Sequence, residues 1–494
     1  MAHDPVHTVA GEHDRLSELP DDVLLNILRR LADAGDVRTV ARTSILSRRW
    51  RPLPWPQLTN IYLDVGSFIT QSDEWTPARR RRQRRFGEHH HATAGLRLKF
   101  ILTRRDHVRR IGELVGAAAS TGAARAVELE IVTELECASF ADARTMLGYG
   151  ERFMDFLAVD CPGAFRSLTK LTLSCLWFTD PAVLNNLVRG CDALEFLSLA
   201  FRGFLMEPVA EVDDARLAKV TIDAPQSRLK TLLCIECLLA FVDLVRAPAM
   251  AAFHYAWWFD CPRRFPPVRF GSTPSLKGLT LCHGQQQDVK WKLSELLENA
   301  GQLEWLDLRL GVSIGEIWVE PEHPKELGTA LSGLKELRLV DIAPNCDLSW
   351  ALFLLEAAPL LESLDIHIYN HICRAEWRKK HGGNMILEQQ PSSDFVHHNL
   401  KKLSFHRAFD LCKDLPFARL VMELAVSLET ITLGVKSLTL KCEECRATES
   451  EFPDLARSRL RSTTGNNEEY VDALAKKLKD GISTSAQITI LLAD

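Results

Sequence analysis

One pattern constrains this chain more than any other: Leu-x-x-Leu-x-Leu, recurring from about residue 124 onward. It reads Leu168-Leu171-Leu173, Leu194-Leu197-Leu199, Leu217-Val220-Ile222, Leu276-Leu279-Leu281 and Leu303-Leu306-Leu308. It continues as Leu334-Leu337-Leu339, Leu361-Leu364-Ile366, Leu400-Leu403-Phe405 and Leu428-Ile431-Leu433. Weaker copies are Ala124-Val127-Leu129, Leu229-Leu232-Cys234 and Met250-Phe253-Tyr255. Alternation at the fourth and sixth positions is that of a short strand with one buried face. Such a strand cannot cover its own apolar side, so successive units must stack. Between copies, residues 180–191, 292–301 and 349–359 have helical apolar spacing, and Gly190, Gly301 and Pro359 stand where those helices should stop.

First positions at 276, 303, 334 and 361 lie 27, 31 and 27 residues apart. That period resembles the longer, intracellular kind of leucine-rich repeat. The resemblance implies an α/β fold, a curved solenoid over residues 124–440 with strands on one side and return helices on the other. The third, fifth and seventh positions of each copy then point away from the core, onto the concave surface. They include Phe196, Trp305, Arg309, Arg338, His367 and His406, which are the candidate target-binding residues. Both charges occur in this set and no basic track runs through it, which fits a protein or peptide partner better than a nucleic-acid backbone.

A different pattern occupies residues 14–58. Leu16, Leu19, Val23, Leu24, Ile27, Leu28 and Leu31 form one helical stripe, with Pro20 near the first turn and Gly35 at its end. Two shorter helical patterns follow, through Val37 and Val40, then through Ile45, Leu46 and Trp50. Leu19-Pro20, Leu24, Ile27-Leu28, Leu31 and Asp36, closed by Ser47-Arg48-Arg49-Trp50-Arg51-Pro52-Leu53, resemble an F-box. The resemblance implies three helices that dock on a Skp-type adaptor, and through it on a cullin. Its implied adaptor contacts are Leu19, Pro20, Leu24, Ile27, Leu28, Leu31, Val37, Leu46 and Trp50. A helical hairpin that merely caps the repeats is the bland alternative.

Charge is nearly balanced, 60 Lys and Arg against 65 Asp and Glu in 494 residues. The balance hides six arginines between Arg79 and Arg85, followed by His89, His90 and His91. Like charges at that density repel, so the connector 59–123 should expose this insert (79–91) as a loop. Nuclear import, an anionic partner or simple solvation would each suit it. Residues 1–13 read as a disordered leader, and no stretch is apolar enough to span a bilayer. Thirteen scattered cysteines and the lack of an Asn-x-Ser/Thr acceptor suggest reduced thiols in cytoplasm or nucleus.

After residue 440 the pattern lapses, then residues 468–481 read as a helix stopped by Gly481 and residues 486–493 as a last strand. This tail, placed over 441–494, resembles the FBD region of large plant F-box/leucine-rich-repeat proteins, and should cap the stack. Cys234-x-x-Cys237 and Cys442-x-x-Cys445 have metal spacing, but pairs about 200 residues apart would share an ion only by unusual folding. Cys234 and Cys175 fall at inward strand positions, where cysteine packs as a small apolar residue. Trp257-Trp258 reads as core packing rather than a ligand pocket. No phosphate loop, catalytic triad or acid–base pair is legible, so no catalytic residue, metal or cofactor is expected. The combined expectation is a non-catalytic substrate-recognition subunit of a Skp–cullin–F-box ubiquitin ligase, holding an unknown protein target. A repeat scaffold or ligand receptor working outside any ligase is the alternative.

Overall fold

A computed structural model describes residues 19–33, 39, 43, 60–64, 95–102, 105–120, 126–133, 143–161, 164–200, 218–237, 239–258, 266–283, 290–310, 317–342, 347–368, 395–406, 414–436 and 474–493. The leader, Val37, Leu46, Trp50, the arginine run, the polar run 378–384 and Cys442 with Cys445 lie outside these residues. The chain divides into two compact units, Met1–Glu134 with Phe153–Leu171, and Leu135–Arg152 with Thr172–Asp494.

In the first unit, strands Asn60–Asp64, Gly95–Ile101 and Ala126–Val132 pair in parallel. The helix Arg105–Ser120 follows the middle strand. Phe100 packs against Phe156 with tilted rings, 5.5 Å between ring centres, and both are fully buried. Gly112 permits a close approach, since a Cβ there would sit 2.8 Å from the carbonyl of Asp160. Strand pairing of the repeat type therefore begins inside the segment that the sequence assigns to a connector. Leu96, Leu98 and Phe100 alternate correctly, but Thr93 stands where the leading leucine should be, so the motif is not recognisable.

In the second unit, ten strands pair in parallel: Phe196–Ala200, Thr231–Ile235, Ala252–Trp258, Gly278–His283, Trp305–Arg309, Glu336–Ile342, Ser363–Ile368, Lys402–His406, Thr430–Lys436 and Gln487–Ala493. Register places Leu197, Leu232, Phe253, Leu279, Leu306, Leu337, Leu364, Leu403 and Ile431 in one row, and every one is fully buried. Return helices include Ala182–Gly190, Pro324–Leu331 and Asp414–Leu424. Pro324 opens its helix where a missing N–H costs nothing, and His323 accepts from the N–H of Lys325. The expected helix at 292–301 is only Leu293–Leu296, followed by a turn with Asn299 and Gly301 at positive φ. At the end of the unit, residues 474–479 are helical and Gly481 takes φ 73°, as the stop signal requires. Arg419 donates to the carbonyls of Lys477 and Asp480, pinning that helix's C-terminal end.

One copy of the motif is misplaced by the sequence reading. Leu217-Val220-Ile222 belongs to the strand Ala218–Asp223, which lies in a separate three-stranded parallel sheet with Leu239–Arg246 and Val268–Ser272. The physical reason is length. Leu217 and Leu229 are only 12 residues apart, too few for a main-sheet strand and a return to the next copy. Between Leu229 and Met250, 21 residues apart, the return is the strand Leu239–Arg246. An extended segment rises about 3.3 Å per residue against about 1.5 Å for a helix and so spans the distance with fewer residues.

Just before eight of these ten strands stands a charged residue, and these residues form a second ladder. Glu195, Lys230, Lys277, Glu304, Lys335, Glu362, Lys401 and Glu429 occupy this position with mostly alternating charge. Lys230 meets Glu195 at 2.9 Å, Lys277 meets Glu304 at 2.8 Å, and Lys401 meets Glu362 at 2.9 Å. Their main chains also bond in sequence, with Glu304 N–H donating to Lys277, Lys335 to Glu304, Glu362 to Lys335 and Lys401 to Glu362. The Lys277 and Lys335 ammonium groups hold the Glu304 carboxyl below its usual range. These pairs are exposed and individually weak, but a wrong neighbour would place like charges together. Accordingly, Glu304→Lys should line up three lysines and lower the thermal midpoint at low salt. The deficit should shrink in about 0.5 M salt, where screening acts within a few ångströms.

Candidate functional site

The face of the ten-stranded sheet opposite the leucine row is built by register. Trp305 lies beside Gly278 and Glu336; Asp307 lies beside Thr280 and Arg338; Arg309 lies beside Cys282 and Val340. Gly278 makes room for the indole, because a Cβ there would come within 1.7 Å of the Trp305 ring. Trp305 also packs on His254, two strands away on the same side as Gly278, 5.5 Å between ring centres, and His254 Nδ1 lies 2.8 Å from Thr280 Oγ1. Burial, with a smaller contribution from the Arg309 charge, depresses the pKa of His254 to about 4, so its imidazole is neutral at physiological pH.

Asp307 is 5% exposed although it sits on this open face. One of its oxygens is 3.8 Å from Arg309 Nε and 3.9 Å from Arg338 Nη1, too long for hydrogen bonds. Its other oxygen has no hydrogen-bond partner. Burial pushes the carboxyl pKa up, the two guanidinium groups oppose that rise, and Asp341 adds to it. The Arg309 main chain is braced by Trp318, whose Nε1 donates to the Arg309 carbonyl at 2.9 Å. Trp318 belongs to a buried cluster with Trp258 and His283. Trp258 is thus packed inside, as its sequence context suggests. The result is a half-buried aromatic and two arginines, one of them half-exposed and the other exposed, on a rigid support.

The sequence-derived residues fall into three places. Trp305, Arg309 and Arg338 come together on adjacent strands. His367 and His406 pair one and two strands further on, stacked 4.3 Å apart, with His406 Nε2 3.4 Å from Asp365 Oδ1. Phe196 is half-buried and stands four strands away from Trp305 in the other direction, roughly 19 Å at the usual strand spacing, so it is not part of this cluster. His254 and Thr280 were missed. Both occupy the fifth position of a copy, and the signal for His254 was diluted because Met250-Phe253-Tyr255 is a weak match.

At the other end of the sequence, the helix Asp21–Asp33 has Asp21 and Asp22 in its first turn, where carboxylates suit the helix dipole. The Pro20 carbonyl accepts from Val23 and Leu24, both at 3.1 Å. The stripe splits in two. Leu24 and Leu28 are fully buried by the chain itself, whereas Leu19, Ile27 and Leu31 are half-exposed and Pro20 and Val23 are exposed. Leu24 and Leu28 therefore support the helix from behind. The surface open to another protein is Pro20, Val23, Ile27 and Leu31.

Among the described residues there is no cluster of three His, Cys, Asp or Glu. Cys234 and Cys237 are fully buried free thiols, and hydrogen bonding to Cys237 together with burial pushes the Cys234 pKa well up. A thiol held protonated is a poor ligand and a poor nucleophile. Cys175 departs from the expected reduced, inward cysteine: it is disulfide-bonded and takes φ 62° just past the end of its strand. Among the described residues, no helix is long and apolar enough to cross a membrane.

Comparison with known proteins points to one class. No family model matches the chain. It is similar to a putative F-box/FBD/LRR-repeat protein of Arabidopsis thaliana, 29% identical over 207 residues, which is 38% of this chain and 42% of that protein. A second Arabidopsis thaliana F-box/FBD/LRR-repeat protein is 28% identical over 235 residues, 46% of this chain and 47% of that protein. The meiotic F-box protein MOF of Oryza sativa subsp. japonica is 44% identical over 71 residues, 14% of each chain. The chain spans less than half the length of these curated relatives. The relatives support the likeness to plant F-box/FBD/leucine-rich-repeat proteins drawn from the motifs.

The depressed His254 pKa has a measurable consequence. An unfolded histidine titrates near 6.5 and the folded one near 4, so this group's contribution is fully present above pH 6.5 and is lost as pH falls from 6.5 to 4. His254→Asn should flatten the acid limb of the stability profile in that window by up to ~3 kcal/mol. Urea unfolding at pH 7 and pH 4.5 measures it.

Proposed function

We propose that this chain is the target-selecting, non-catalytic subunit of a Skp–cullin–F-box ubiquitin ligase. The observation that carries the proposal is the conjunction of two features in one chain. An F-box-like helix leaves Pro20, Val23, Ile27 and Leu31 open while burying Leu24 and Leu28, and a stack of parallel strands presents Trp305, Arg309 and Arg338 on its open face. The F-box, FBD and LRR terms in the names of its plant relatives support the same reading. In this scheme the helix recruits the adaptor, with Val37, Leu46 and Trp50 completing the contact. The open face holds a protein target, and the ligase partner supplies the chemistry. The contribution of this chain is proximity and orientation.

Trp and Arg are the residue types that most often dominate binding energy, and here Gly278, His254 and the buried Asp307 hold them in place. His367 and His406 extend the same surface. The positioning matters because a pre-placed side chain loses less freedom on binding.

Two experiments separate the halves. Ile27→Asp should abolish binding to a purified Skp homologue while the far-ultraviolet circular dichroism stays unchanged; Leu24→Asp should instead lower the melting midpoint, because that side chain is internal. Unimpaired adaptor binding by folded Ile27→Asp protein would refute the F-box reading. Separately, Trp305→Ala combined with Arg338→Ala should reduce recovery of captured target proteins about tenfold or more, with adaptor binding intact. Equal recovery by quantitative mass spectrometry would place the target elsewhere.

A further inference from the structure

The last strand of the second unit, Gln487–Ala493, ends the sheet, and among the described residues nothing pairs with its far side. Its sequence, QITILLA, carries no charge and no proline, the devices that usually blunt an open edge. Among the described residues, this strand is less covered than the one before it. Ile431 and Leu433 on the preceding strand are fully buried. Ile488 and Ile490, at the same two register positions, are only half-covered. Thr489 and Leu491 on the opposite face are exposed, Leu491 by 51%. The terminal helical segment does not make up the deficit: its Leu474 and Leu478 are already fully buried.

Main-chain geometry sets what the edge can accept. Gln487 donates its N–H inward, to the carbonyl of Glu429. In a parallel ladder, alternate residues turn their N–H and C=O to opposite sides, so Ile488, Ile490 and Leu492 present theirs outward. We propose that this edge is a homodimerisation surface, in which Gln487–Ala493 pairs antiparallel with the same strand of a second copy about a two-fold axis at Ile490. Ile490 is the central residue of the seven, so this register overlaps the whole strand. It makes the outward-facing residues hydrogen-bonded partners, 490 with 490 and 488 with 492 of the other copy.

A second copy fits better than an unrelated strand for two reasons. The under-covered inward positions are both isoleucine, and the dyad sets the two Ile490 side chains against each other on the core side. A seven-residue strand without charge places no like charges opposite one another and offers no electrostatic handle to a charged partner. The interface is isologous, so it closes after two copies. It lies at one end of the sheet and does not use Trp305, Arg309 or Arg338.

Sedimentation velocity on the full chain at about 10 micromolar tests the proposal. The expected result is a species of twice the 55.6 kDa chain mass, falling to one chain on dilution or on introducing Thr489→Lys with Leu491→Lys. Position 489 of one copy lies directly opposite 491 of the other across the proposed axis, so the lysines would face each other. A second variant, Thr489→Cys with Leu491→Cys, places thiols at the close, non-hydrogen-bonded pair. It should form a covalent dimer under mild oxidant that the wild type does not. A chain that stays monomeric at 10 micromolar, a dimer that survives the lysines, or no covalent product from the cysteine variant would each overturn the assignment.

Discussion

Stacking of one buried side chain on the equivalent side chain of the next repeat is the interaction on which everything else rests. Leu279, Leu306, Leu337 and Leu364 occupy a single row and exclude water only because each is covered by its neighbours in the row and by the return segments. No repeat could be stable alone, since a short strand has no second layer of its own. The same dependence explains why insertions are tolerated between repeats and why the ends differ. At Gln487–Ala493 the row loses its next member, and the isoleucines there are the least covered of the series.

Burial alone does not choose a register, because one leucine row would pack much like another. The charges ahead of the strands add that information. Glu195 with Lys230, Lys277 with Glu304, and Lys401 with Glu362 each join neighbouring repeats at hydrogen-bond distance. Their side chains lie in water and their individual contributions are small. Their effect is selective: a strand that slipped by one repeat would meet its own sign.

The open face uses the rigidity that stacking creates. Trp305 has its orientation because the neighbouring strand offers a glycine and the strand beyond it a histidine ring. Asp307 is held in a costly state, buried and incompletely hydrogen-bonded, between two guanidinium groups. Such an acid adds little to stability, and its position explains why Arg309 and Arg338 converge rather than splay. The N-terminal helix shows the same economy, with one part of its apolar stripe supporting the fold and the other facing outward.

The repeat and its period were legible because hydrophobic alternation is local: Leu-x-x-Leu-x-Leu states which side chains face inward whatever the rest of the chain does. The stops at Gly301 and Gly481 were legible for a similar reason, since a left-handed turn is a single-residue property. Hidden from the sequence were the features that depend on distance between repeats. The 12-residue spacing between Leu217 and Leu229 leaves Ala218–Asp223 outside the main sheet, and the missing leucine at Thr93 concealed Gly95–Ile101. Residue types alone placed Phe196 with Trp305 and gave Leu24 the same role as Ile27. Tertiary structure separated them, because exposure and proximity are set by which strands and helices lie alongside, and one-dimensional spacing does not carry that information.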